Sequence, residues 1–296
     1  MTARSAGRVF VSGAASWNIL VGLDHLHEAR SQTIFARSHR ERLGGTSAGK
    51  ALNLARLGFD VTLKTCLGGD AATDEIRTAL AHPAITLIDV RDADTPTERH
   101  LNLMSDDGGR VSIYLAAAGM LRDPMPAAAV DALHHSAIAV LDLSDHSLAT
   151  IPVARELGIP IWTDLHDWDG TDAYRQPFAE AADVIMFSDA LIDDPVPLIE
   201  RWVGLGKRLV ICTRGPLGAI AGDATGIVVQ PAIPVPRIVD TNGAGDAFFA
   251  GALFGHLSGL DPDRCLRFGA IAGALCVQSS DLAAADLNPA ALRISL

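Results

Sequence analysis

Short apolar runs rich in β-branched residues, separated by stretches of helix length, constrain this chain more than any other feature. They are Arg8–Ser12, Val61–Leu67, Ile138–Asp142, Ile159–Asp164, Val184–Phe187 and Arg208–Thr213. Such nearly continuous apolarity belongs to strands covered on both faces, and the alternation with helical segments predicts a mostly parallel sheet. The expected class is therefore α/β, with three layers (α/β/α). The 296 residues, 49% of them hydrophobic, suffice for one large domain spanning 1–296. Two stretches break the alternation, about 15–42 and 96–116. The second carries a hairpin signal, two alternating strands from Arg99 to Leu115 around Asp107-Gly108. These stretches are expected to form a small separate β-sheet, a lid that closes over a site.

The segment Gly44-Gly-Thr-Ser-Ala-Gly-Lys-Ala51 looks like a phosphate-binding P-loop, but two requirements fail. The preceding Arg37–Leu43 is too charged for a buried parallel strand, and Ala51 stands where a metal-binding hydroxyl is needed. A helix does follow, with Ala48, Leu52, Ala55 and Leu57 at roughly helical spacing and Gly58 as its stop. A stronger anion site is Asn242-Gly-Ala-Gly-Asp246, where two glycines open the apolar run Ala247–Leu257. The free N–H groups of that helix start can wrap an anion at Gly243, Ala244 and Gly245. Asp246 lies in the same first turn, where it either caps the helix or takes a proton from a hydroxyl beside the anion.

The excess of 35 acidic over 24 basic residues, net −11, argues against a nucleic-acid or anionic-membrane surface. Cys66, Cys212, Cys265 and Cys276 are scattered without C-x-x-C spacing, which fits a reduced, cytoplasmic protein. No secretory leader pattern and no membrane-length apolar run is present. His25, His27, His134 and His135 read as surface residues.

Asp240-Thr-Asn-Gly-Ala-Gly-Asp246 closely resembles the C-terminal signature D-T-x-G-A-G-D of the ribokinase-like (PfkB) carbohydrate kinases. Gly44–Gly58, with its Gly-Gly pair and terminal Ala-Arg-Leu-Gly, is similar to their N-terminal signature. The resemblance implies a ribokinase-like fold and ATP-dependent transfer of a phosphoryl group to a primary hydroxyl of a small sugar. It makes Asp246 the general base and Gly243, Ala244 and Gly245 the anion hole. Gly44, Gly45 and Gly49 then face the acceptor, with Asn18, Asp164, His166 and Arg99 as further acceptor contacts; Arg110 is a lid position of the same kind. Thr213, Gly215 and Gly218, in a T-x-G-x-x-G-like segment, would line the nucleotide. The implied cofactors are ATP and Mg²⁺, with K⁺ near Asp240 and Asn242, and lid strands in this family can pair in homodimers.

Three positions depart from the family pattern. Asn18 replaces an acceptor-binding Asp, and Gly49, followed by Lys50, replaces an Asn. After the Val184–Phe187 run, Ser188-Asp-Ala-Leu191 stands where the metal-organising N-x-x-E is expected, leaving Asp189, Asp193 or Asp194 to act through water. Trp17 and Trp162 are either core residues or ring faces for a sugar or base. Two rival readings follow: a nucleoside kinase on the same scaffold, and a ligand-binding homologue with weakened transfer.

Overall fold

The computed structural model describes residues 7–91, 95–106, 109–117 and 125–294. Its strands are β1 (Arg8–Ser12), β2 (Ser16–Leu23), β3 (Ser38–Gly44), β4 (Asp60–Leu67), β5 (Ile85–Arg91), β6 (Arg99–Ser105), β7 (Arg110–Ala116), β8 (Ile138–Leu141), β9 (Ile161–Asp164), β10 (Val184–Ser188), β11 (Leu209–Thr213), β12 (Ala219–Asp223) and β13 (Gly226–Gln230). Nine of them form one sheet in the order β13-β12-β11-β10-β9-β8-β1-β4-β5. From β11 through β5 every neighbouring pair is parallel, while β12 and β13 add an antiparallel edge.

The apolar runs alternate between two cores, as a sheet covered on both faces requires. Val9, Val11, Ile138, Val140, Val184 and Met186 belong to one core, with residues of the Thr46–Arg56, Ala244–Leu257 and Pro262–Val277 helices. Phe10, Ala139, Leu141, Ile185 and Phe187 belong to the other, with the Ala127–His134, Thr150–Glu156, Gln176–Ala181 and Val196–Gly204 helices. The Ala244–Leu257 helix buries ten of its 14 residues, so it has no solvent face to orient it. Its position is set by backbone-close packing on the Pro262–Val277 helix. A Cβ on Gly251 would lie 2.5 Å from the Phe268 carbonyl oxygen, and one on Gly269 would lie 2.9 Å from the Phe248 ring.

A second, four-stranded sheet has the order β3-β2-β6-β7. Its two antiparallel pairs, β2 with β3 and β6 with β7, join through parallel β2 and β6. The β6–β7 hairpin has the expected strands, and Ser105 N–H donates to Gly109 O at 3.0 Å; Asp107-Gly108 lies outside the described residues. Among the described residues no helix is long and apolar enough to cross a membrane. All four cysteines are buried thiols outside any disulfide.

Candidate active site

Parallel strands deliver their carboxyl ends to one edge of a sheet, and ligands gather there beside the point where strand order reverses. In this protein that point is β1, flanked by β8 and β4. Asp142 follows β8 directly, and Asp164 is the last residue of β9. The Thr46–Arg56 helix sends the fully buried Lys50 between them. Its Nζ lies 2.9 Å from Asp142 Oδ1, 3.3 Å from Asp164 Oδ2 and 3.0 Å from Asp246 Oδ1.

Local backbone chemistry explains how that helix reaches the cluster. Gly45, its N-cap, has φ 90°, and a Cβ there would lie 2.4 Å from the Ala14 carbonyl oxygen. Only glycine meets both conditions. Two residues on, Ser47 Oγ donates to Asp142 Oδ2 at 2.6 Å. Asn53 Nδ2 donates to Gly49 O at 2.8 Å, fixing the turn that carries Gly49 and Lys50.

Three carboxylates share one cation. Burial alone would lower the Lys50 pKa, but Asp142, Asp246 and Asp164 more than reverse this and raise it above the ordinary value. Burial pushes Asp246 up to about 6; Lys50 pulls against this, while the like charges of Asp142 and Asp164 add to it. Asp164 moves the other way, since His166 and Lys50 outweigh its burial. Lys50 thus stays charged, and Asp246 is the carboxylate that yields a proton site near neutrality.

Asp246 stands in the first turn of the Ala244–Leu257 helix, behind the N-cap Gly243, which is left-handed at φ 80°. Asn242 N–H donates to Asp240 Oδ1 at 2.9 Å, bending the chain into that cap. Gly245 is exposed, and a Cβ built on it would meet nothing within 4 Å. The electropositive helix tip is therefore open to solvent with a carboxylate beside it. Two hollows, of about 330 and 200 Å³, lie at the opposite edge, beside Arg8 and Asp60 at strand starts and beside Arg208 and Leu209. Neither touches the acid cluster.

The remaining sequence candidates fall into three groups. Gly49 and Asp164 join Asp246 around Lys50, and His166, at the unusual φ of 54°, places Nδ1 3.6 Å from Asp164 Oδ2. Asn18 lies under Gly44: a Cβ there would be 2.1 Å from Asn18 Nδ2, while Asn18 Oδ1 accepts from His100 N–H at 3.2 Å. Thr213, Gly215, Gly218 and Asp189 gather at the ends of β10 and β11. Thr213 Oγ1 donates to Phe187 O at 3.4 Å, and Arg214 Nε sits 3.4 Å from Asp189 Oδ2. Gly218, at φ 92°, leaves no space for a Cβ, which would lie 2.1 Å from Gln230 O.

Outside these groups, Asp194 Oδ1 accepts from Val196 N–H, Arg99 pairs with Glu41 at 3.1 Å on the small sheet, and Arg110 is exposed. Asp240 Oδ2 is held at 2.7 Å by Arg40 of β3. Trp162 is core, 1% exposed and edge-on to Phe249, whereas Trp17 donates Nε1–H to Glu41 Oε2 at 2.9 Å.

Asp142, Ser47 and Arg40 were not among the sequence candidates, and Lys50 was noticed only as the neighbour of an altered position. An acid closing an apolar strand run is the signal that would have found Asp142.

Comparison with known proteins gives this arrangement a family. Residues 9–289 match the pfkB family carbohydrate kinases, and the chain belongs to that family. It is similar to acarbose 7(IV)-phosphotransferase of Actinoplanes sp., 30% identical over 292 residues covering 96% of each chain. It is also similar to the ATP-dependent ribose-1-phosphate kinase of Halopiger xanaduensis, 31% identical over 277 residues, 90% of this chain and 91% of that one. Among solved structures, a microbiome-derived acarbose kinase superimposes with TM-score 0.85 at 24% identity over 98% of both chains. Arabidopsis thaliana ribokinase with ribose and ATP gives 0.78 at 21%, covering 97% of this chain and 98% of that one. These structural likenesses establish the ribokinase-like fold; the family makes the protein an ATP-dependent carbohydrate kinase.

Proposed function

We propose that this kinase transfers the γ-phosphoryl group of MgATP to a primary hydroxyl of a small sugar or sugar derivative, with Asp246 as general base. The observation that carries this reading is the open helix tip at Gly243–Gly245 with the Asp246 carboxylate in its first turn. The tip's N–H groups bind the transferring phosphoryl group, and Asp246 accepts the acceptor's proton as the new P–O bond forms and the bond to ADP breaks. Gly44, Gly45 and Asn18 bound the acceptor side, where the four-stranded sheet acts as a lid on the one domain. Thr213, Gly215 and Gly218 bound the nucleotide side.

A divalent metal bound with the nucleotide would supply charge neutralisation at its phosphates. Asp189, 30% exposed at the end of β10, would hold it through water. At Asp240, Arg40 already supplies the positive charge that a potassium ion would bring. A second copy pairing along the lid edge β7, whose Ile113, Tyr114 and Leu115 are exposed, would give a dimer, measurable by sedimentation.

The test is ATP consumption by purified protein with pentoses, hexoses, ribose 1-phosphate, acarbose and nucleosides. Acarbose belongs in the panel because two of the similar proteins bear its name. Turnover with a sugar arm supports the proposal. Turnover with nucleosides alone replaces it by the nucleoside-kinase reading, and ADP formation with no arm removes it.

A further inference from the structure

Gly49 and Lys50 are the residues at which the Gly44–Gly58 segment departs from its family pattern, and the structure turns both toward Asp246. We propose that they work as a pair that aims the Asp246 carboxylate: Lys50 holds Oδ1, and Gly49, lacking a side chain, leaves Oδ2 uncovered for the acceptor hydroxyl. The inference rests on reading Asp246 as the general base.

The geometry divides the two oxygens. Lys50 Nζ donates to Asp246 Oδ1 at 3.0 Å. A Cβ on Gly49 would lie 2.5 Å from Oδ2 and 3.1 Å from the Asp246 Cβ, so even a methyl group there would displace the carboxylate. The backbone that carries both residues is held by Gly49 N–H donating to Gly45 O at 3.0 Å and by Asn53 Nδ2 donating to Gly49 O at 2.8 Å. Lys50 is fully buried, so its ammonium has no solvent alternative to the carboxylates around it. The Asn expected at position 49 would itself bind an acceptor. Here one residue admits the acceptor and the next orients the base.

The charges facing Asp246 fix the sign of each effect. Lys50 from the Thr46–Arg56 helix favours the ionised base. Asp142 after β8 and Asp164 at the end of β9 oppose it, and His166 faces Asp164. Cys276, on the Pro262–Val277 helix, is buried with its thiol pushed up to about 12 by burial and then by the charge of Asp246, so it stays neutral. Removing Lys50 therefore makes Asp246 harder to ionise, and removing the Asp142 charge makes it easier. A residue that merely filled space would move neither.

Two readouts test the pair: the pH profile of kcat/KM, and the pH titration of the Asp246 carboxyl by ¹³C NMR, assigned by its loss in Asp246→Asn. Lys50→Met is expected to move the acidic limb and the NMR midpoint up by more than about one pH unit, with Lys50→Arg partly restoring both. Asp142→Asn is expected to move them down. Should Lys50→Met fail to fold, Lys50→Met/Asp142→Asn compared with Asp142→Asn alone carries the same expectation, because one positive and one negative charge leave together. Gly49→Ala should raise the acceptor KM at least roughly tenfold and leave the ATP KM within about twofold.

Lys50 variants that lose rate equally at every pH, with an unmoved NMR midpoint, would overturn the pairing, as would Gly49→Ala with an unchanged acceptor KM. If wild type phosphorylates nothing while the NMR midpoints shift as described, the Lys50 pairing stands and the kinase reading fails by itself.

Discussion

The carboxyl edge of the nine-stranded sheet and the four-stranded sheet beside it are built on opposite terms. Every residue of β8 and β9 is buried, and the acids at their ends are fixed by Lys50 and Ser47 inside the protein. In the small sheet, six of the seven residues of β7 are exposed, and the Arg99–Glu41 pair is 38% and 46% exposed. Buried charges must stay paired, so the first region is rigid by necessity. Exposed pairs contribute about 0–1 kcal/mol, so the second can rearrange at small cost. Under the proposed function, chemistry that needs fixed geometry would belong to the first region and acceptor entry to the second. Arg40 to Asp240 is an ion pair that crosses between them.

This division sets the size of four expected effects. The largest falls on the helix tip. Gly243→Val places a β-branched residue at φ 80° with its Cβ 2.8 Å from the Leu282 carbonyl oxygen. Steady-state kinetics should show kcat/KM falling by about 100-fold or more.

Next comes a stability effect within the packed region. Burial, aided by the charge of Lys64, lowers the His146 pKa from 6.5 to about 4. The unfolded chain therefore takes up a proton that the folded one refuses as pH falls from 6.5 toward 4. Stability is lost over that window by ~3 kcal/mol, and His146→Gln should remove that part of the slope in denaturant titrations.

Arg40→Ala should raise KM several-fold, on the order of 1 kcal/mol, because it frees the small sheet from Asp240 without touching the acid cluster. Arg99→Ala should change kcat/KM by less than about threefold. An Arg99 effect as large as that of Gly243 would break the division between the regions. An Arg40 effect confined to kcat would sharpen it, by tying sheet closure to the chemical step.

The parts of this organisation that could be read from the chain share a physical cause. Strands buried on both faces must be apolar throughout, so β1, β4, β8, β9, β10 and β11 announce themselves. Half-exposed β5 and the short Ala/Gly-rich β12 with its exposed partner β13 do not, and all three were missing from the expected strands. The helix start at Gly243–Asp246 was legible because a left-handed cap leading into a buried apolar helix needs glycine, and an acid is favoured in the first turn. Lys50 was not, because its meaning depends on Asp142 and Asp164, which lie 92 and 114 residues away in sequence and meet it only when the parallel strands align their ends. A lysine inside an amphipathic helix normally reads as a solvent-facing residue, and only the fold shows that this one is fully buried.

The central claim is that Asp246 removes the acceptor's proton at an open helix tip. Single-turnover phosphoryl transfer by Asp246→Asn, measured with the nucleotide Kd of the same preparation and the best acceptor from the panel, tests it most directly. The rate is expected to fall by about 10²–10⁴-fold with the ATP Kd within about twofold of wild type. A variant that transfers within about tenfold of the wild-type rate, or whose loss is accounted for by weakened ATP binding, would contradict the account.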